Sequence, residues 1–295
     1  MQRDIVDNQG ISVQLERYTA KLLPYAYNIV GDMMEAEDVV QDVLNRYFLS
    51  SQDHVENPDG YLIRSVINRA INQKKLLRSR MERYLGEWLP TPVFTEEGIY
   101  TNVDKNQILN YSLLVLLERL NPKERAVFIL KESFDFSHVE IAEILGITVE
   151  SSRQLFKRSK EKLEPDLDRS FIASKGGHES IQKLADAIIQ TDVETVKSLL
   201  AADVRSVSDG GNKMSAARKL ISGKENVYKF LKAIYGKYLP PGAETRLTRI
   251  NHHPAILYLL DGKVFRCAIF DIHHNAIERI YIVLNPDKLK KLQIQ

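Results

Sequence analysis

The sequence predicts a multidomain protein: two all-α helical modules, the second containing a helix-turn-helix, followed by an α+β cone with a curved antiparallel sheet. Three observations predict it. Apolar residues recur at helical spacing from about Val13 to Leu163, and they alternate as strand residues do after about Thr245. Between Trp88 and Gln107 an acidic stretch bearing Pro90, Pro92 and Gly98 interrupts the helical pattern. At 295 residues with 44% hydrophobic side chains, the chain is long enough for two or three cores. The expected boundaries are 1–86 for the first helical module, 87–107 for a linker, 108–168 for the second module, 169–176 for a second linker and 177–295 for the cone.

Charge has to act locally. The chain has 41 Lys and Arg against 39 Asp and Glu, so any nucleic-acid binding comes from clusters rather than from bulk charge. The single cysteine, Cys267, excludes an internal disulfide and a four-cysteine zinc site, as expected in a reducing compartment. The start MQRDIVDNQG is polar and acidic, and no apolar run approaches the roughly 18–20 residues of a membrane span. A soluble, cytoplasmic protein without membrane contact is expected.

In the first module, the stretch DMMEAEDVVQD carries Asp32, Glu35, Glu37, Asp38 and Asp42 and no base, while its other helix face carries Met34, Val39, Val43 and Leu44. Asn57-Pro58 then starts a new helix, an N-cap before a proline at the first helical position. There the charge reverses. From Tyr61 to Leu85, Arg64, Arg69, Lys74, Lys75, Arg78, Arg80 and Arg83 stand against Glu82, with Asn68 and Asn72 a turn apart. An acidic docking helix beside a basic, asparagine-bearing helix suits a factor that holds a protein partner on one side and DNA on the other. Oppositely charged amphipathic helices of an ordinary bundle explain the composition equally well.

Beyond the linker, Asn121-Pro122 with Glu124 and Ser137 with Glu140 form capping boxes, each satisfying two otherwise unpaired amide donors. SHVEIAEILGITVESSRQLFKRSKEKL, from Ser137 to Leu163, has the arrangement of a helix-turn-helix. Ile141, Ala142 and Leu145 line its first helix, Gly146 makes the turn, and Thr148 begins a second helix on which Ser152, Phe156, Ser159 and Leu163 share one face. Arg153, Lys157, Arg158, Lys160 and Lys162 stand against Glu161 on the remainder of that helix. A solvated basic helix is the bland alternative, and the caps and turn glycine together favour DNA. On that geometry Ser151, Arg153 and Gln154 meet base edges while Lys157 and Arg158 hold phosphates.

Three stretches resemble a known family. GDMMEAEDVVQDVLNRYF resembles the core-polymerase-binding segment of bacterial sigma factors of the extracytoplasmic-function class, and NPDGYLIRSVINRAINQKKLLRSR resembles the adjoining promoter-reading helix. LERLNPKERAVFILKESFDFSHVEIAEILGITVESSRQLFKRSKEKL is similar to the second conserved sigma domain, and together the matches cover most of residues 13–165 in the family's order. The resemblance implies that Asp32, Glu37, Asp38, Gln41 and Asp42 dock on RNA polymerase core. It implies equally that Arg64, Asn68, Arg69, Asn72, Lys75 and Arg78 face the downstream promoter element and that the helix-turn-helix binds the upstream one. Ser152 and Ser159 stand where relatives commonly carry an apolar residue and alanine, and their hydroxyls are expected to bond back to the helix backbone.

After Gly242, four alternating segments separated by His252 to Pro254, Asp261-Gly262 and His274-Asn275 predict an antiparallel meander. Helices from about Glu179, from a capping box at Thr191 to Glu194, and over about Lys224 to Tyr235 are expected to cover one face of that sheet. YLGEWLPTP resembles the WLPxP linker of extracytoplasmic-function sigma factors that carry a SnoaL-like C-terminal extension. Ser208-Asp209-Gly210-Gly211, Asn251 with Pro254-Ala255, and Asn285-Pro286-Asp287-Lys288-Leu289 resemble further marks of that subgroup, and Asn212 departs from its DGGGK run. The resemblance implies a regulatory role, acting in cis, for Trp88, Leu89, Pro90, Asp209, Gly210, Gly211, Asn285, Pro286, Asp287 and Lys288. Read alone, Trp88 is a packing anchor and Asp-Gly-Gly an ordinary hairpin turn.

The function expected is that of a sigma factor that binds RNA polymerase core and directs promoter-specific initiation, regulated in cis by its SnoaL-like domain, with no cofactor, no metal and no reaction of its own. Two alternatives compete: a ligand-responsive helix-turn-helix regulator that never touches polymerase core, and a SnoaL-like enzyme with a DNA-binding appendage. The acidic helix from Asp32 to Asp42 separates the first reading from the regulator. Catalysis in a cone needs an inward proton donor or acceptor. The pairs His252-His253 and His273-His274 read as solvent-facing turn residues, and Cys267 as a small buried strand residue. An unknown small ligand in the cone stays open.

Overall fold

The computed structural model describes residues 2–49, 55–82, 84, 86–96, 104–164, 166, 178–189, 192–236 and 239–293. The chain forms two compact units: Met1–Arg80 with Tyr100–Leu109 and Leu116–Arg169, and Met81–Ile99 with Asn110–Val115 and Ser170–Gln295. The expected junction from Ser170 to Gly177 and the linker residues 97–103 lie outside the described residues.

In the first unit every described element is helical. α1 (Gln2–Val30) ends at Gly31, whose φ of 79° turns the chain and whose amide donates to the Tyr27 carbonyl at 2.7 Å. α2 (Met33–Leu49) packs on α1 through Ala36, Val39, Val40, Val43 and Leu44, all buried. Met33, 4% exposed, supplies that inner face, and Met34, expected there, is 42% exposed. The helical step explains the correction: Met33 stands three and seven residues before Ala36 and Val40, and Met34 falls off that stripe. α3 (Pro58–Met81) starts as expected, with Asn57 Oδ1 accepting from the Gly60 amide at 3.0 Å, and buries Leu62, Val66, Ile67, Ala70 and Ile71.

After α4 (Tyr111–Leu116), whose residues up to Val115 group with the second unit, come α5 (Pro122–Glu132), α6 (His138–Leu145) and α7 (Val149–Leu163). Both expected capping boxes form, Gly146 closes α6 at φ 61°, and Thr148 Oγ1 accepts from the Ser151 amide at 3.1 Å. Each such cap stabilises a helix start by about 1 kcal/mol, which fixes where α6 and α7 begin and so the angle of the helix-turn-helix. Ser152 and Ser159 are both buried. Ser159 donates back to the Phe156 carbonyl at 2.6 Å as expected, whereas the Ser152 hydroxyl lies 2.9 Å from His138 Nδ1 on α6.

The second unit is an α+β cone. α8 (His178–Ile189), α9 (Val193–Leu199) and α10 (Lys224–Gly236) cover a six-stranded sheet of order β2-β1-β6-β5-β4-β3. The expected meander is β3 (Glu244–Ile250), β4 (His253–Leu260), β5 (Lys263–His273) and β6 (Ala276–Val283), antiparallel throughout. β1 (Leu200–Asp209) is additional, paired in parallel with β6 and flanked by the two-residue β2 (Ile221–Ser222). Its buried positions include Ser206, Ser208 and Asp209, polar residues that hide the strand's alternation from a hydrophobicity pattern. The cap of α9 is Asp192, which accepts from the Thr195 amide at 3.1 Å; Thr191 lies outside the described residues.

Alternation gives the sheet two apolar faces. Ile256, Tyr258, Ala268, Phe270 and Ile280 join Ile181, Leu184, Val227 and Leu231 of the helices in one core. On the other face Ile250, Leu257, Cys267, Ile269, Tyr281 and Val283 meet Leu89, Phe94, Tyr111, Leu289 and Leu292. The segment around Leu89–Phe94 is therefore a layer of the cone rather than a free tether, and each such side chain gains about 1.5–3 kcal/mol from burial. Phe94 bridges to Ile250, and the Asn251 amide donates to the Val93 carbonyl at 2.9 Å, which seals the end of edge strand β3. α11 (Pro286–Leu289) closes the same face, with Leu289 only 1% exposed.

Candidate nucleic-acid interface and linker clamp

The outer face of α7 is open. Arg153, Gln154, Lys157 and Arg158 are exposed and Ser151 is half-buried. Glu150 lies 3.8 Å from Arg153 and Glu161 lies 3.9 Å from Lys157, loose pairs that count for little in water and leave both cations to compete for phosphates. On α2, Asp38 and Gln41 are exposed, and Glu37 is half-buried. Asp32 turns to its own helix, where Oδ1 accepts from the Glu35 amide at 3.2 Å, and Asp42 is shared by Arg46 and Arg69 at 3.2 Å each.

The basic face of α3 is split by its surroundings. Arg64, Asn72 and Lys75 are exposed, with Lys75 Nζ 3.4 Å from Asn72 Oδ1. Asn68 donates from Nδ2 to the Arg64 carbonyl at 2.9 Å and to the Ile144 carbonyl at 2.7 Å, and Arg78 donates to the Leu120 carbonyl at 3.0 Å. Lys74, part of the basic track on sequence, is buried at 3% exposure and donates to the Val30 carbonyl at 2.9 Å and to Glu118 at 2.8 Å. Glu118 also pairs with the fully buried Arg125, whose Nε reaches the Asn28 carbonyl at 3.0 Å. Burial pushes the Glu118 carboxyl up, but Lys74 and Arg125 more than offset it and hold the group below its ordinary value. Sequence periodicity places Lys74 on the inner side of α3, three residues after Ile71; its charge masked that signal.

The second site is a clamp built on Asp209. Its side chain is fully buried at the end of β1, and one oxygen accepts from the Leu89 amide at 2.9 Å and from Lys288 Nζ at 2.6 Å. The other oxygen accepts from the Gly211 amide at 2.9 Å and from the Tyr84 hydroxyl. Lys288, 4% exposed, also donates to the Leu89 carbonyl at 2.5 Å and lies 4.0 Å from the Trp88 ring centroid. Asn285 donates to the Tyr84 hydroxyl at 3.0 Å, and its backbone amide to the Asp209 carbonyl at 3.1 Å. Asp209 and its glycines are thus not an ordinary hairpin turn. Gly211 holds φ 59°, and a Cβ there would lie 2.8 Å from Asn285 Nδ2, so a side chain would strain the backbone and push the Asn285 amide aside. Asn212, next along, is exposed, which is why a residue other than glycine fits. Trp88 is half-buried, Leu89 and Pro90 are buried, Pro286 is exposed, and Asp287 pairs with Lys213 at 2.6 Å.

Two histidines also depart from expectation. His253 and His273 are 1% and 9% exposed, not solvent-facing. Neighbouring residues at a strand end point to opposite sides, so one member of each pair turns inward while His252 and His274, both at positive φ, take the turns. The inward members converge on Asp271: His273 Nε2 is 2.8 Å and His253 Nδ1 3.8 Å from Oδ1, and the Ser112 hydroxyl donates to Oδ2 at 2.5 Å. Burial pulls His253 down to about 4, whereas the hydrogen bond to Asp271 raises His273. Cys267 is buried as expected, and burial pushes its thiol up.

Sigma-70 region 2 matches residues 15–82 and sigma-70 region 4 matches residues 111–163, which places the helical modules in the class of sigma-70 transcription initiation factors. The chain is 29% identical over 289 residues to the extracytoplasmic-function RNA polymerase sigma factor SigJ of Mycobacterium tuberculosis strain H37Rv, covering 93% of this chain and 92% of SigJ. It is 23% identical over 295 residues to the probable sigma factor SigI of the same species, covering 97% of each. The crystal structure of Mycobacterium tuberculosis SigJ shares its fold at a TM-score of 0.73 and 24% identity, over 95% of this chain and 98% of that one. Its two helical modules thus match sigma-70 regions 2 and 4, and over most of its length the chain is similar to extracytoplasmic-function sigma factors. Among the described residues no helix is long and apolar enough to cross a membrane.

Proposed function

We propose that this chain is an extracytoplasmic-function sigma factor of the SigJ-like subgroup with a fused SnoaL-like domain, that it works in the cytoplasm by binding RNA polymerase core and promoter DNA without a reaction of its own, and that the clamp on Asp209 regulates it in cis. Asp38 and Gln41, with Glu37, Asp42 and Asp32 beside them, form the polymerase-docking face. Arg64, Asn68, Arg69, Asn72, Lys75 and Arg78 serve the downstream element; Ser151, Arg153 and Gln154 read the upstream one, with Lys157 and Arg158 on phosphates. Asn68 and Arg78 engage bases or phosphates only after their bonds to the Ile144 and Leu120 carbonyls open.

The convergence of Tyr84, Leu89, Asp209 and Lys288 carries the regulatory reading. The chain between the region 2 and region 4 matches runs from 83 to 110, and the cone holds residues from Tyr84 to Glu96 of it. Released, about 28 residues span up to roughly 90 Å. Held, they restrict how far the two DNA-binding regions separate.

Run-off transcription with purified core polymerase tests this. Asp38→Ala with Gln41→Ala is expected to weaken core association at least about tenfold without moving the unfolding midpoint, because both side chains are exposed. Asp209→Ala is expected to change transcription at equal core binding. Failure of the full chain to associate with core at low salt refutes the sigma reading, and identical transcription by Asp209→Ala and wild type refutes the clamp reading. A point variant is the cleaner probe, since deleting the cone bares Leu89, Phe94 and Tyr111.

A further inference from the structure

Between the sheet and α10 lies a cavity of about 560 Å3, within the roughly 300–1,000 Å3 of ordinary small-molecule sites. Its wall is mostly apolar: Phe230, Ile234, Phe265, Ile282 and Leu284 among others. Two polar groups interrupt it. Arg266, 5% exposed, brings a permanent positive charge, and its guanidinium carbon sits 5.1 Å and 5.5 Å from the Tyr258 and Phe265 ring centroids, which hold the planar group in place. Ser208 is 2% exposed, and its hydroxyl has no hydrogen-bond partner among the described residues. A buried hydroxyl left in that state favours a ligand that bonds to it.

We infer that the cavity binds a small monocarboxylate with an apolar body, its carboxylate on Arg266 and Ser208. A guanidinium presents two parallel donors that match a carboxylate. Among the described lining residues Arg266 is the charged one, its sign favours an anion, and a monoanion costs less to desolvate beside an apolar wall than a phosphate dianion. The apolar wall excludes a purely polar acid.

The same cavity abuts the clamp. Successive residues of β1 point to opposite faces, so Ser208 lines the cavity while Asp209 holds Leu89 and Lys288 on the other side. The segment Met214–Ala217 forms another wall, and its Met214 amide donates to the Gly210 carbonyl at 3.0 Å. A Cβ on Gly210 would lie 2.3 Å from the Met214 carbonyl oxygen, so the wall packs directly against the clamp turn. An effect of the ligand on transcription rests on the clamp reading above; binding itself does not.

Calorimetric titration of the full chain with octanoate, octanamide and inorganic phosphate tests the inference. Octanoate is expected to bind one to one, octanamide at least about tenfold more weakly, and phosphate not at all. Arg266→Met is expected to erase the preference for acid over amide. Ser208→Ala, which removes one oxygen from a folded strand, weakens octanoate several-fold and serves if Arg266→Met does not fold. Equal affinity for acid and amide, or no octanoate binding at millimolar concentration, overturns the inference. Trp88, the chain's single tryptophan, reports on the clamp through the Lys288 ammonium beside it. One-to-one octanoate binding with unchanged Trp88 emission and unchanged transcription supports the cavity and refutes its coupling to the clamp, whereas the clamp reading itself falls only with Asp209→Ala.

Discussion

The Lys288 ammonium and the Asp209 carboxylate lie 2.6 Å apart with side chains 4% and 0% exposed, joining the C-terminal tail of the cone to the end of β1. Neither charge is left alone, because Leu89 supplies an amide to one and a carbonyl to the other. A linker backbone thus completes a buried ion pair, which makes the pair a reporter of whether the linker is held.

Removing one partner leaves a buried uncompensated charge, a loss of about 3–5 kcal/mol. Asp209→Ala and Lys288→Ala are each expected to lower the denaturant midpoint followed by Trp88 emission. The double variant is expected to cost less than the sum of the two. Additive losses in a double-mutant cycle would show that the two side chains do not act together.

Glu118 holds Lys74 and Arg125 at once, so Glu118→Ala exposes two nearly buried cations to each other's charge. The expected loss is again about 3–5 kcal/mol, read from helical circular dichroism during urea unfolding. Since the Glu118 carboxyl is held below its ordinary value, its contribution is full above the unfolded carboxylate range and is lost as pH falls through the folded value. A variant whose deficit stays constant down to acid pH would contradict that assignment.

The division proposed for α7 separates two kinds of DNA contact. Lys157→Ala is expected to weaken binding on all sequences and to lower the salt slope by about one, whereas Arg153→Ala costs about 1–3 kcal/mol on matched DNA and relaxes base preference. Equal losses for Arg153→Ala on matched and scrambled duplexes would reverse the assignment.

The two buried histidines predict opposite pH slopes. His253 has its pKa lowered from 6.5 to about 4, so the unfolded chain binds the extra proton between those values. Its stabilising contribution is full above pH 6.5 and falls by about 2 kcal/mol on going to pH 5. His273 is raised, so its contribution is full below its unfolded value and is lost as pH rises through the folded one. Unfolding midpoints of His253→Asn and His273→Asn against wild type from pH 5 to 8 check both signs. Parallel slopes for the two variants would refute the burial of His253 in its neutral form.

Much of the local structure was legible without coordinates. Asn57, Asn121, Ser137 and Thr148 act on amides two to three residues away, and Gly146 has its φ set by its own turn, so these boundaries follow from short-range chemistry. The meander from β3 to β6 was readable for the same reason, since alternation and turn residues are local. Where a polar residue is buried, the signal reversed: Lys74 looked like surface charge, His253 and His273 like turn residues, and Ser206 and Ser208 concealed β1.

By itself the chain of residues determined the helical modules, their caps, the charged faces of α2, α3 and α7, and the four meander strands of the cone, because periodicity and capping depend on neighbours within about four positions. Only the tertiary structure decided that Tyr84, Leu89, Asp209, Asn285 and Lys288 meet, that Glu118 serves two cations, and that Asp271 gathers two histidines. Those contacts join residues separated by up to 201 positions, and their energies arise from desolvated charges whose partners no local pattern can specify.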